Sequence, residues 1–126
     1  MSKEYLNPPI IEEVQIEKTL NHLQESGIVI PKPSEVLDYL SRYPDIIGLL
    51  ISVCELTVQR FDSQTRLSLE LYRDPEIEDE YLTFYIRQQK YDENLMKRIE
   101  GIRANYEKML VGMTGWLLVT TDFRAL

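Results

Sequence analysis

The sequence predicts an α+β fold: N-terminal helices followed by β-β-α-β, with a small three-stranded sheet packed on the helices. Three observations lead there. Apolar residues recur at helical spacing through the first half of the chain and again over residues 92–111. Between these segments the period drops to two, as expected for half-buried strands. A glycine then opens a last apolar run, Trp116 to Phe123, which reads as a final strand.

Taken in order, Asn7 is placed to cap a first helix, with Pro8 in its opening turn and Glu12 and Glu13 at the positive end of the dipole. Ile16, Leu20 and Leu23 share one face, while Ile10, Ile11 and Val14 point the other way. The segment therefore either touches two surfaces or opens with extended turns, and Gly27 ends it. Ile28-Val29-Ile30 reads as a very short strand, followed by a connection stiffened by Pro31 and Pro33. Ser34 is expected to cap a short helix whose inner face is Val36, Leu37, Leu40 and Tyr43. Pro44 starts the next helix, expected to reach Phe61, with Ile46, Leu50, Val53, Cys54, Thr57 and Phe61 inward and Ile47, Ile51 and Val58 widening that face. So broad an apolar surface belongs to a central core helix.

Leu67, Leu69 and Leu71 alternate with Ser68, Glu70 and Tyr72, and after an acidic turn Leu82, Phe84 and Ile86 alternate with Tyr81, Thr83, Tyr85 and Arg87. The two runs are expected to pair as a hairpin. Asp92 is expected to cap the last helix, with Tyr91 and Met96 as a hydrophobic staple and Leu95, Ile99, Ile102, Tyr106 and Met109 as its buried stripe. Gly101 inside this helix costs about 1 kcal/mol relative to alanine, which points to close packing or to simple tolerance. A crossover would place the final strand beside the first strand of the hairpin. If Ile28 to Ile30 is a strand, the pattern becomes βαββαβ, four-stranded and ferredoxin-like.

At 126 residues the chain is read as one domain, with an N-terminal helix and linker over 1–33 and an α-β-β-α-β core over 34–126. Apolar residues make up 44% and charged residues 28%, which are ordinary globular values and argue against disorder along the whole chain. The single cysteine, Cys54, excludes an internal disulfide and reads as a small buried hydrophobe. The N-terminus lacks the apolar core of a signal peptide, and no stretch reaches the roughly 18 apolar residues of a membrane span. A cytoplasmic location without membrane contact is expected.

The net charge is −7. Residues 1–65 carry ten acidic and five basic side chains, and residues 66–126 carry eleven and nine. Such a balance repels phosphate backbones and argues against general nucleic-acid binding, though it leaves room for a local basic patch on the second half. It favours solubility or a basic partner.

The face of the sheet opposite the leucines is the sharpest candidate surface. Strand alternation puts Arg66, Ser68, Glu70 and Tyr72 on it, then Tyr81, Thr83, Tyr85 and Arg87, with Trp116, Leu118, Thr120 and Asp122 from the last strand. Tyrosine, tryptophan and arginine combine large apolar area with polar ends and dominate binding hot spots. Tyr72, Tyr81, Tyr85, Arg87 and Trp116 are the candidate partner-binding residues. The plainer reading is that the N-terminal helix or a second subunit covers this face, and self-association satisfies both.

Two carboxylate groupings are weaker candidates. Asp74-Pro75-Glu76-Ile77-Glu78-Asp79-Glu80 places five carboxylates in seven positions, without the glycine that a calcium loop needs at its sharp turn. A solvated hairpin loop explains it better. Glu70 and Asp122 would meet across neighbouring strands if the order allows, tuned by Arg66 or Arg87. One histidine, His22, and one cysteine make no zinc site. No phosphate loop, nucleophile elbow or dinucleotide fingerprint appears, so no catalytic residue, metal or cofactor is assigned.

The run Leu67-Ser-Leu-Glu-Leu-Tyr-Arg-Asp-Pro-Glu-Ile-Glu-Asp-Glu-Tyr-Leu82, the pairs Tyr39-Leu40 and Tyr43-Pro44, and the segment Gly115-Trp-Leu-Leu-Val-Thr-Thr-Asp-Phe-Arg124 resemble a group of small prokaryotic α+β proteins to which no activity is assigned. The resemblance spans about residues 35–124. It implies a role beside a small toxin-like or nucleotide-handling partner. The leading expectation is a non-enzymatic interaction or regulatory module, antitoxin-like or accessory, or a homodimer. The alternatives are a metal-dependent hydrolase using Glu70, Asp74, Glu76, Asp79 and Asp122, and a small-ligand sensor with a pocket between the central helix and the sheet.

Overall fold

A computed structural model describes residues 8–125, with side chains from residue 13 onward. The expected cap at Asn7 lies outside the described residues, and the dipole contact of Glu12 and the second face at Ile10 and Ile11 lie outside the described side chains. Helix α1 covers Pro8–Glu25, α2 Pro33–Arg42 and α3 Ile47–Arg60, the last led in by a 3-10 turn at Pro44–Ile46. Strands β1 (Thr65–Arg73) and β2 (Glu80–Gln88) follow, then α4 (Leu95–Leu110) and β3 (Leu117–Thr120).

The core collects Ile16, Leu20 and Leu23 of α1, the inner faces of α2, α3 and α4, and one face of the sheet. That face carries Leu67 and Leu69, then Leu82, Phe84 and Ile86, then Leu117 and Val119, all buried. Val14 is exposed, so α1 buries only its Ile16 stripe within the described side chains. Gly27 ends that helix at φ 101°, a left-handed turn that glycine adopts without a Cβ penalty.

The alternation of β1 and β2 pairs as expected, antiparallel, with Leu69 opposite Phe84 and Tyr72 opposite Tyr81. The last strand differs from expectation. It pairs with β2, not with the first strand of the hairpin, and it runs parallel, giving the order β1-β2-β3. The outer edge of β1 is already engaged: Val29 N–H donates to Leu67 O at 2.8 Å and Val29 O accepts from Leu69 N–H at 2.9 Å.

Ile28 to Ile30 is accordingly one bridge, Val29 to Ser68, and not a strand. The next bond of a parallel ladder would need the N–H of residue 31, and Pro31 has none. Three strands in sequential order, with the Val29 bridge at the β1 edge, also differ from the interleaved ferredoxin-like arrangement.

Local signals misplaced several helix ends. Helix α2 begins at Pro33 with Lys32 at the N-cap, so Ser34 lies inside its first turn. Its buried residues are Val36, Tyr39 and Leu40. Asp92 does not cap α4; its carboxylate accepts from Asn94 N–H at 2.9 Å in the turn before Leu95. Tyr91 packs against Phe123, with ring centroids 5.0 Å apart. Leu110, not Met109, completes the α4 stripe, and Met109 is exposed. The final strand, Leu117–Thr120, is shorter than the Trp116–Phe123 run, and the chain turns at Phe123 with φ 57°.

The outer edge of β3 is closed by α4. Val119 N–H donates to Tyr106 Oη at 3.0 Å, and Val119 O accepts from Arg103 Nε at 2.8 Å. Just before the strand, Trp116 N–H donates to Tyr39 Oη at 3.0 Å. Tyrosine hydroxyls thus take up backbone groups that would otherwise invite edge-to-edge pairing.

Candidate functional site

The helices meet the sheet on its leucine face, and the opposite face carries no helix among the described residues. Cross-strand register arranges this open face in rows. Arg66 lies opposite Arg87, Ser68 opposite Tyr85, Glu70 opposite Thr83 and Tyr72 opposite Tyr81. On the other side Thr83 pairs with Leu118 and Tyr85 with Thr120. Extending the pairing of Leu82 with Leu117 by one step sets Trp116 beside Tyr81, just before β3 begins.

One end of the face is aromatic. The Tyr72 and Tyr81 rings are 5.0 Å apart, Tyr72 is exposed and Trp116 is 47% exposed. Burial and the neighbouring Tyr72 push the Tyr81 hydroxyl pKa up, so it stays a neutral donor at physiological pH. This end offers large aromatic area with polar tips.

The other end is held by Arg87. Its Nε and Nη2 donate to the two oxygens of Asp122 at 2.9 and 2.7 Å, and Nη1 donates to Glu70 Oε2 at 3.2 Å. Ser68 Oγ donates to the same Glu70 oxygen at 2.7 Å. The guanidinium also lies over the Tyr85 ring, 4.5 Å from its centroid. These hydrogen bonds raise the Arg87 pKa and hold the Asp122 carboxyl below its usual range. Burial, then the Glu70 and Asp122 carboxylates, push the Tyr85 hydroxyl up. Thr83, in the middle of the face, is buried and its Oγ1 finds no well-aligned hydrogen-bond partner among the described residues.

The five candidate partner-binding residues therefore divide. Tyr72, Tyr81 and Trp116 present exposed or half-exposed surface at one end of the sheet, and Tyr85 lies half-buried toward the other. Arg87 is only 9% exposed and acts as a strut between strands. Glu70 and Asp122 do not meet across neighbouring strands as expected, because β2 lies between β1 and β3; each is instead paired with Arg87 of β2.

The acidic hairpin is organised by its own backbone: Glu76 N–H donates to Asp74 Oδ1 at 2.9 Å, and Glu80 is held by Arg42 and Arg73. No group of three metal-ligating side chains forms among the described residues. Cys54 is buried in α3 and its thiol is pushed up to about 12, so it carries no thiolate at neutral pH.

Sequence reasoning passed over Tyr39, Asp45, Arg103 and Arg124. Asp45 accepts from Thr114 N–H at 2.7 Å and Thr114 Oγ1 at 3.0 Å, tying the turn before α3 to the loop that carries Trp116. The Thr114 N–H holds the Asp45 carboxyl below its usual range. The one available signal was a tyrosine on each buried helix stripe, since a buried hydroxyl needs a partner.

No helix among the described residues is long and apolar enough to cross a membrane. Comparison of the chain with protein-family models, with curated proteins and with solved structures finds no match.

Proposed function

We propose that this chain is a non-enzymatic protein-interaction or regulatory module that binds a protein partner, or a second copy of itself, through the open face of its sheet. The observation that carries the reading is the row Tyr72–Tyr81–Trp116, which leaves aromatic surface exposed on a face that no described helix covers. Rigid aromatic side chains on a strand scaffold lose little conformational entropy on binding and supply most of the affinity of protein interfaces. Arg87, fixed by Asp122, keeps the other end of the face in place. An antitoxin-like or accessory role in the cytoplasm, in keeping with the group the sequence resembles, is the specific form of this proposal.

The test is purification of the tagged chain from its native cells with light scattering of the product, repeated for Tyr81→Arg and Trp116→Ala. A stoichiometric complex or dimer that is lost in both variants, while each stays folded, supports the reading. Unchanged association in both overturns it.

A second reading rests on a hollow of about 270 Å³ between α3 and α4, lined by Leu49, Val53, Leu56, Ile102, Tyr106 and Met109. It suits a small apolar ligand and a sensor role, with the pocket between two helices and not between helix and sheet. A thermal-shift screen of metabolites against wild type and Val53→Phe tests it: stabilisation by a compound that Val53→Phe abolishes supports the sensor.

A further inference from the structure

At the Arg87 end of the open face, Arg66, Arg87 and Arg124 line one hollow of about 200 Å³ together with Ala125. The convergence is built into the fold. Arg66 and Arg87 are directly opposed across the β1–β2 ladder. Arg124 is delivered by the turn after β3, whose backbone is fixed at several points. Phe123 N–H donates to Thr121 Oγ1 at 3.2 Å, Arg124 N–H to Asp122 Oδ1 at 3.2 Å, and Tyr91 Oη to Arg124 O at 2.6 Å. Phe123 takes a left-handed φ of 57° and packs on Tyr91. A non-glycine residue held in that conformation marks a turn whose shape the surroundings impose.

The charge balance of the hollow is unusual for a chain of net charge −7. Arg87 is matched by Asp122 and Glu70. Arg66 and Arg124 form no ion pair among the described residues. Like charges directly opposite in an antiparallel pair destabilise the ladder, and the Arg66–Arg87 opposition is offset only on the Arg87 side, by Asp122 and Glu70. Arg87 uses three of its N–H groups on the two carboxylates, which leaves two free for a further acceptor.

The geometry points to an oxyanion site, formed by Arg66, Arg87 and Arg124, for a phosphate monoester. The three guanidinium groups, set against the two carboxylates that hold Arg87, leave a net charge of about +1 among the described residues, which attracts the monoester and its charge of about −1.5 to −2 near neutral pH. A carboxylate or a phosphodiester brings only one negative charge and is attracted less strongly. Guanidinium forks reach phosphate oxygens in bidentate fashion, and Arg87, already locked on Asp122, gives up little freedom on binding. The bound dianion also relieves the Arg66–Arg87 repulsion, so occupancy stabilises the sheet. The phosphate can come from a small phosphorylated metabolite or from a phosphorylated side chain.

This inference goes beyond the partner-binding face and is separable from it. The aromatic row lies six residues along β1 from Arg66, about 20 Å at strand rise.

The test is a titration of the full chain with inorganic phosphate at constant ionic strength, followed by heteronuclear NMR and by thermal unfolding. Saturable shifts centred on Arg66, Arg87 and the Phe123–Arg124 amides are expected, with a rise in Tm. Arg66→Ala and Arg124→Ala should each weaken binding about tenfold, the loss of one charge-assisted contact. Lys90→Ala, a surface charge outside the hollow, should leave it unchanged. Binding should also weaken between pH 7.5 and 5, as phosphate takes up its second proton near pH 6.

Shifts that do not saturate, or that weaken equally in Lys90→Ala, overturn the proposal. Parallel titrations with a phosphoserine peptide and with ribose 5-phosphate distinguish the two sources. Tighter binding of either than of inorganic phosphate names the source, and equal binding of all three assigns the site to phosphate itself.

Discussion

Arg87 grips the Asp122 carboxylate with two parallel hydrogen bonds across 35 residues of sequence, joining the centre of the sheet to the turn that follows β3. The Arg87 side chain is 10% exposed and that of Asp122 27%, so the pair is largely shielded from water. Breaking the pair leaves Arg87 with Glu70 as its remaining carboxylate, at a cost of about 1–3 kcal/mol. Asp122→Asn should therefore lower stability by that order, measured by urea unfolding at pH 7. The effect has a pH signature. Arg87 depresses the folded-state pKa of Asp122, so the stabilisation is complete above the unfolded carboxylate value of about 3.9 and is lost as pH falls toward the folded value. The stability difference between wild type and Asp122→Asn should shrink below about pH 4. A gap that stays constant down to pH 2 would show that the pair contributes no linkage.

Tyr106→Phe removes the acceptor for the Val119 N–H on the outer edge of β3. A buried donor left without a partner costs about 1–3 kcal/mol. The stability loss should be accompanied by faster hydrogen exchange at the Val119 amide than at amides of β1. Equal acceleration across the whole sheet would point instead to a general loss of packing around Tyr106.

Much of this architecture is legible in the sequence, and the limits have physical causes. Leu67, Leu69, Leu82, Phe84 and Ile86 announced a hairpin because side chains alternate across a half-buried sheet whatever its neighbours are. The place of β3 was not legible. An apolar run such as Leu117–Thr120 fits beside either hairpin strand, and the choice turns on Val29 occupying the β1 edge, which is a tertiary contact. The open face followed from alternation, so the tyrosines and Arg87 were found together. That Arg87 is a strut depends on Asp122, whose position follows from the β2–β3 register. Tyr106 read as a stripe residue and Tyr39 did not, Tyr43 being expected inward in its place; the hydroxyl bonds of Tyr39 and Tyr106 to Trp116 and Val119 link helix to strand and leave no local pattern.

Two glycines should respond to alanine with opposite signs. Gly101 lies in α4 with nothing within 4 Å of an added Cβ, which resolves the choice between close packing and tolerance in favour of tolerance. Gly101→Ala should stabilise the protein by about 1 kcal/mol through helix propensity. At Gly115 an added Cβ would sit 3.0 Å from Ile46 Cδ1, Ile46 Cγ2 and Tyr43 Cβ. Ile46 is fully buried and the Tyr43 atom is tied to the backbone, so neither gives way easily. Gly115→Ala should cost about 1–3 kcal/mol. Thermal unfolding of both variants checks the pair.

Cys54 offers a built-in reporter of global opening. It is 1% exposed and burial pushes its thiol up to about 12, so iodoacetamide meets neither an accessible sulfur nor a thiolate in the folded protein. Labelling should proceed only through unfolding, at a rate that rises in Asp122→Asn and falls in Gly101→Ala in step with their stabilities. Rapid labelling under native conditions would mean that α3 opens locally.

The proposed interface can be separated from the framework that holds it. Tyr81 and Trp116 stand at the exposed aromatic end, and surface substitutions away from special features usually change stability by only about 0.5 kcal/mol. Tyr81→Ala and Trp116→Ala should therefore abolish the complex while leaving Tm within a few degrees of wild type. Arg87→Ala should behave differently. It leaves Asp122 and Glu70 without their counter-charge and uncovers Tyr85, so stability and association should fall together. Paired measurements of Tm and light scattering on the three variants distinguish contact residues from positioning ones. If Tyr81→Ala and Trp116→Ala lowered Tm as much as Arg87→Ala, the aromatic row would belong to the framework, and the open face would lose its claim to be the binding surface.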